Sequence, residues 1–237
     1  MPRLLSLLFA GAVAPVLGGC ARPVSNVEPC PASTATAPAG HSGSLTDRER
    51  WNQVFSRTDP PFETGPNAFL SRCLDRIETR GAAVDIAMGQ GRNAVLLAQR
   101  GFDVTGIDIS DVAIEQAHEN ARAAGVSIHG ELADVFTYDY GEWRWDLVSL
   151  IYFNPAKSIL ERLKQAVKPG GYIVIEGFGV NAVGGPPQSS KYGANELLRI
   201  FSDWTILEYQ DGLFDADWGA ERKQRHVVRL LAQRPAE

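Results

Sequence analysis

The chain has 237 residues, 44% of them hydrophobic and 22% charged, with a formal net charge of −5. That size and balance suit one globular domain with an appendage, and the acidic balance gives no support for a broad nucleic-acid-binding face. Cys20, Cys30 and Cys73 are too few for a disulfide scaffold, none falls in a metal-ligand spacing, and the four histidines are scattered, so no metal site is expected.

The first 20 residues read as a unit of their own. Arg3 supplies positive charge, Leu4 to Leu17 is an uncharged apolar run, and Gly18 and Gly19 precede Cys20. The run is shorter than the ~20 residues of a spanning helix. Charge, apolar core and small-residue exit are the parts of a secretory signal. "LGGC" resembles the bacterial lipoprotein box, which implies lipidation of Cys20 and a lipid-anchored protein of the cell envelope. An uncleaved anchor or a misplaced start codon are the alternatives. Residues 21–44 are rich in Pro, Ala, Ser, Thr and Gly and too poor in large apolar side chains to offset the entropy of ordering. They read as a tether, with Cys30 a bystander, and residues 45–237 as the folded domain.

Within that domain, "TDRE" (46–49) has capping-box form and opens a short helix carrying Trp51, Val54 and Phe55. Pro66 suits the start of a second helix, where Phe69, Leu70, Cys73, Leu74 and Ile77 repeat at helical spacing. Strands and helices then alternate. "AVDIA" (83–87) is a strand, Asn93 to Arg100 a helix, "FDVTGIDI" (102–109) a strand, and Ser110 caps the next helix, which Gly125 ends. "VSIHGEL" (126–132) and "WDLVSLIYF" (145–153) are strands, Ile159 to Val167 a helix, and "GYIVIEGF" (171–178) a strand. "WTILEYQ" (204–210) and "RHVVRLLA" (225–232) lack a helix between them and predict an antiparallel pair. Together these predict an α/β fold: a Rossmann-like, doubly wound, mostly parallel seven-stranded sheet with an antiparallel C-terminal strand pair.

The first strand runs into Gly89-Gln90-Gly91, and the helix beyond aims its N-terminal amides at that turn. Asp108 ends the second strand, 17 residues beyond Gly91. A glycine turn followed by such an acid is a ribose-plus-tail site. Gly89, Gly91 and Ala94 satisfy the loose dinucleotide pattern, so an NAD-binding protein must be weighed. S-adenosyl-L-methionine is favoured by Asp85 before the turn, placed to hold an ammonium group. It is favoured too by Asp134 and Val135 after the third strand, placed for an adenine amino group and ring, and by the terminal strand pair.

At this point the chain resembles the class I S-adenosylmethionine-dependent methyltransferases, nearest the branch that includes tellurite-resistance and thiopurine methyltransferases. "DIAMGQGRN" resembles the branch's first motif, "GFDVTGIDIS" its second strand and ribose acid, and "VKPGGYIVIEGF" its post-core segment, over about residues 48–235. Ala87 stands where many class I enzymes have glycine, as this branch often does. The resemblance implies cofactor contacts at Asp85, Gly89, Gly91, Arg92, Asn93, Asp108, Ile109, Asp134 and Val135. Arg92 and Asn93 could instead only cap the helix, Asp85 could serve loop amides, and Asp139 and Glu131 compete with Asp134.

Methyl transfer from a sulfonium is an in-line displacement that demands positioning and exclusion of water, and a base only if the acceptor must lose a proton. No dedicated catalytic residue is therefore assigned. A small-molecule acceptor is expected. "IYFNP" (151–155) lacks the N-P-P-Y form of many nucleobase and amide methyltransferases, which disfavours DNA or glutamine as acceptor. Tyr152 and Glu176, near the ends of their strands, are acceptor-site candidates, against simple packing for the first and loop capping for the second. Residues 177–193 are a glycine-rich lid or a plain surface loop, and Trp51 with residues 59–69 could close over the cofactor. Export and a cytoplasmic cofactor conflict. The chain is then an envelope enzyme using imported cofactor, a cytoplasmic enzyme whose signal is unused, or a non-catalytic module binding S-adenosylmethionine, S-adenosylhomocysteine or a nucleotide.

Overall fold

The computed structural model describes residues 45–58, 62–219 and 223–236. The signal, the tether and Cys20 lie outside the described residues. The elements are α1 (Leu45–Phe55), α2 (Ala68–Leu74), β1 (Ala82–Ile86), α3 (Arg92–Gln99), β2 (Asp103–Asp108), α4 (Asp111–Ala123) and β3 (His129–Leu132). They continue with β4 (Trp145–Ile151), α5 (Leu160–Ala166), β5 (Val167–Phe178), α6 (Glu196–Ile200), β6 (Thr205–Ala216) and β7 (Lys223–Gln233). One seven-stranded sheet has the order β3-β2-β1-β4-β5-β7-β6. The pairs from β3 to β5 are parallel, and β7 runs antiparallel to both β5 and β6. The expected fold class is the observed one.

Alternation along the central strands builds two cores. Ala83, Leu147, Val174 and Leu231 face α2, α3 and α4, together with Phe69, Leu70, Cys73 and Leu97. Their neighbours Val84, Val148, Ile173, Ile175 and Leu230 face the opposite way, toward α5, Leu197 and Phe201. Both sheet faces are thus covered, which is what near-continuous apolar strands require. Cys73 is fully buried, and burial pushes its thiol up to about 12.

Several boundaries differ from the sequence expectation, each for a local reason. Thr46 is already helical instead of capping α1. The cap of α2 is Asn67, whose side chain accepts from the Leu70 amide at 2.8 Å, and Pro66 lies one residue before it. Ser110 does cap α4, accepting from Ala113 N at 3.1 Å. β3 starts only at His129, because the Val126 amide closes the end of α4 on Ala121 O. β5 begins at Val167, which pairs with Trp145 before a register shift, so "KPGG" lies inside the strand. β6 continues to Ala216 because Asp211, Gly212 and Asp215, turn-forming types, are each paired with β7. α6 is five residues long, too short to show a helical period.

Candidate functional site

The carboxyl ends of β1, β2, β4 and β5 open on a cavity of about 910 Å³. This is where open α/β sheets bind ligands. The turn after β1 makes three left-handed excursions in five residues: Ala87 (φ 53°), Gly89 (φ 55°) and Gly91 (φ 78°). Ala87 accepts a conformation that costs an L-residue roughly 1–2 kcal/mol. Two of the turn's residues have different tasks. Gly89 lines the cavity, and its amide donates to Asp108 Oδ2 at 2.8 Å. Gly91 does not line it. A Cβ there would come within 2.7 Å of Ala117 Cβ, so Gly91 lets the turn pack against α4.

Asp108 closes the turn from β2. Its Oδ1 accepts from Ser110 N at 2.9 Å, its side chain lines the cavity, and it is 6% exposed. Burial raises its pKa, against the opposing pull of the Ser110, Gly89 and Ile109 amides. Two amides fix the carboxylate, and lone pairs remain to accept from a ligand hydroxyl on the cavity side. Ile109 and Val135 line the same region. Asp134 does not; its Oδ1 caps the Phe136 amide at 2.9 Å.

Asp85 lies behind the turn, 2% exposed, with Ser149 as its register partner on β4. Asp85 Oδ2 and Ser149 Oγ are both buried without a hydrogen-bond partner. Burial pushes the Asp85 carboxyl from 3.8 up to about 7, tempered by Ser149 and by the charge of Arg92. A buried acceptor with no donor is costly, and Asp85 is set back from the cavity lining.

The cavity floor is a buried polar network drawn from remote segments. Arg92 lines the cavity, and its Nη1 donates to Gly65 O and Asp217 O, while its Nη2 pairs with Asp217 Oδ1 at 3.2 Å. Asn93 Oδ1 accepts from Asn67 N at 3.0 Å. Asn67 Nδ2 donates to Asp217 and to Glu176 Oε1. Glu176, 1% exposed, accepts from Arg229 Nε at 2.7 Å and is absent from the cavity lining. The structure gives it the place of a buried ion-pair partner of Arg229, set back from the cavity.

Asn67, Asp217 and Arg229 escaped the sequence reading. A signal did exist: Glu176 in "YIVIEGF" and Arg229, the arginine between Val228 and Leu230 in "RHVVRLLA", are opposite charges inside apolar strands, and buried charges must be paired.

Tyr152 stands at the end of β4 with φ 57° and lines the cavity. Its hydroxyl is buried without a hydrogen-bond partner. Burial, then the nearby charges of Glu176 and Asp217, raise its pKa. Strain on a non-glycine residue beside a cavity is a feature of functional positions. Its ring begins an aromatic wall. Tyr152 packs on Phe178 (5.1 Å between centroids), Phe178 on Trp218 (5.4 Å) and Trp218 on Phe62 (6.3 Å). Phe62 packs on Phe55 (5.6 Å) and Phe55 on Trp51 (5.9 Å). All six rings line the cavity. α1, which carries two of them, is tied to α4: Asn52 Nδ2 and Arg48 Nε both donate to Asp111 Oδ1, and Ser110 Oγ bonds Asn52 Oδ1 at 2.6 Å.

The loop 177–193 is tied both within itself and to the body. Lys191 Nζ, buried, donates to Ala182 O, and Asn154 Nδ2 donates to Phe178 O. His226 Nδ1 accepts from Asn181 N at 2.9 Å, which leaves its Nε2 hydrogen for Asp211 Oδ1 at 2.6 Å.

Fold and site together define a Rossmann-like α/β chain with a ligand cavity at the carboxyl ends of its parallel strands. Residues 83–171 match a family model described as a methyltransferase domain. The chain is 27% identical over 161 residues to the probable S-adenosyl-L-methionine-dependent methyltransferase TehB of Haemophilus influenzae, an alignment covering 64% of this chain and 56% of that protein. The chain therefore spans little more than half the length of this relative. The crystal structure of TehB from Haemophilus influenzae superposes with a TM-score of 0.61 at 20% identity, over 79% of this chain and 66% of that one. N-methyltransferase NodS from Bradyrhizobium japonicum WM9, in complex with S-adenosyl-L-homocysteine, gives 0.59 at 16% identity over 79% and 98%. These likenesses carry the fold.

Proposed function

We propose that the protein is an S-adenosylmethionine-dependent methyltransferase acting on a small-molecule acceptor. The observation that carries this reading is Asp108, held by the Gly89 and Ser110 amides while lining the cavity. The methyltransferase-domain match over that segment supports it. The cofactor supplies a methyl group on a sulfonium, already activated for displacement.

The chain's residues divide the binding work. Asp108 accepts from the ribose hydroxyls, and Ile109 and Val135 pack against the adenine, while Asp134 supports that wall from behind through the Phe136 amide. Asp85 favours the ammonium from behind the turn, and Arg92 and Asn93 hold the carboxylate end. Gly89 leaves room for the ligand to approach the backbone, while Gly91 acts through packing. Tyr152 and the aromatic wall line the acceptor side and keep water out, which is what an in-line displacement asks of the protein. The intact set of acids around the turn favours turnover over a purely binding role. The terminal antiparallel pair weighs against an NAD protein.

The chain is further proposed to be lipid-anchored at the cell envelope through Cys20. Cys20→Ser is expected to release it from membranes on fractionation; persistent attachment would remove this part of the reading. The methyltransferase reading is tested by incubating the full chain with radiolabelled S-adenosylmethionine and a panel of small thiols, amines and selenite. Extractable labelled product is expected. No product together with no thermal shift from S-adenosylhomocysteine would sink it.

A further inference from the structure

The charge and surface of the cavity restrict the acceptor. Among the described residues its lining carries four carboxylates, Asp47, Glu63, Asp108 and Asp217, against two guanidinium groups, Arg50 and Arg92, with no lysine or histidine. Neither is left over for an acceptor, since Arg92 is assigned above to the cofactor's carboxylate end and both already have an acidic neighbour. Arg50 pairs with Asp47 at 3.1 Å and lies 5.4 Å over the Trp51 ring, and Arg92 pairs with Asp217. The Gly89 amide is committed to Asp108. An oxyanion or a thiolate entering this cavity would shed water and find carboxylates in place of a cation, an unfavourable exchange.

The rest of the wall favours the opposite charge. Six rings, Trp51, Phe55, Phe62, Tyr152, Phe178 and Trp218, form a continuous run around the cavity. Ring faces attract cations, most strongly where water is excluded. The outer side already shows this: the Arg225 guanidinium sits 5.7 Å from the Phe178 centroid and 5.8 Å from that of Trp218.

We infer that the acceptor is an uncharged apolar amine, which becomes a cation inside the aromatic wall as it takes the methyl group. This rests on the methyl-transfer reading above. The nitrogen lone pair forms the new N–C bond, and the C–S bond breaks with its pair onto sulfur, which becomes a neutral thioether. The positive charge moves from sulfur to nitrogen. A tertiary amine has no proton to lose, and a primary or secondary one gives its proton to water after release, so no base is required. The wall thus stabilises the charge where it develops.

The test needs no turnover. The full chain is saturated with S-adenosylhomocysteine and titrated with choline, which stands in for a quaternary ammonium product. Parallel titrations use its neutral carbon isostere 3,3-dimethyl-1-butanol, and selenite. Tryptophan fluorescence reads binding at Trp51 and Trp218. Choline is expected to bind at least tenfold more tightly than the isostere, with selenite weaker than both. Trp218→Leu is expected to cut the choline preference at least fivefold while S-adenosylhomocysteine still binds. Equal binding of choline and isostere, or tighter selenite, would overturn the inference and leave the methyltransferase reading standing. Failure of S-adenosylhomocysteine to bind would overturn both.

Discussion

Two sides of one cavity are built in different ways. The cofactor side is one run of chain, residues 84–110, in which backbone amides do most of the work: Gly89 and Ser110 fix Asp108, and the left-handed turn sets the path into α3. The floor opposite is built from side chains of Asn67, Arg92, Glu176, Asp217 and Arg229, brought together from separations of up to 150 residues. The first is a local device that survives wherever its backbone can bend. The second exists only when β5, β6 and β7 are in register, so the floor reports on the whole fold and the turn on the ligand.

Breaking the floor is expected to have the largest effect. Arg229→Leu leaves Glu176 without its ion-pair partner beneath the cavity, and loss of one partner of a buried pair costs about 3–5 kcal/mol. Denaturant unfolding should show this loss, and a second change, Glu176→Leu, should recover much of it. Next comes Asp85. Its carboxyl is raised from 3.8 to about 7 by burial, so the unfolded chain ionises first as pH rises. Between pH 4 and 7 the unfolded state therefore holds fewer protons, and stability falls with rising pH, by on the order of 2–4 kcal/mol, levelling off above 7. Asp85→Asn should flatten that slope in a pH series of melting curves.

Gly91→Ala sharpens the contrast within the turn. The new methyl group meets Ala117 at 2.7 Å in a left-handed backbone, and a loss of about 2–3 kcal/mol is expected. Asp108→Ala unpairs the Gly89 and Ser110 amides as well, and in the folded variant should weaken S-adenosylhomocysteine binding at least tenfold, ~1.4 kcal/mol or more, by calorimetry. The smallest effect belongs to Ala87→Gly. Relief of the left-handed strain opposes the added freedom of the unfolded chain, and the net change should stay within about 1 kcal/mol in chemical denaturation.

The same contrast explains what the sequence discloses. The turn, Asp108 and the Ser110 cap are legible because a glycine spacing, a strand-end acid and a cap are relations within a few residues. The order of strands follows from their alternation with helices, and the closing antiparallel pair from the missing helix between them. Asn67, Asp217 and Arg229 are not legible in that way, since each reads locally as a helix cap, a loop acid and a strand charge. Only the sheet register makes them neighbours. The aromatic wall is hidden for the same reason: Trp51, Phe62, Tyr152 and Trp218 belong to four separate segments. Gly91 shows the reverse case, where the pattern points to a ligand contact and packing against Ala117 accounts for the glycine.

The most direct measurement is calorimetric titration of the full chain with S-adenosylmethionine, S-adenosylhomocysteine and NAD. The account predicts micromolar binding of the first two, no binding of NAD, and loss of both affinities in Asp108→Ala. Binding of NAD, or binding of none of the three by a folded chain, would contradict it.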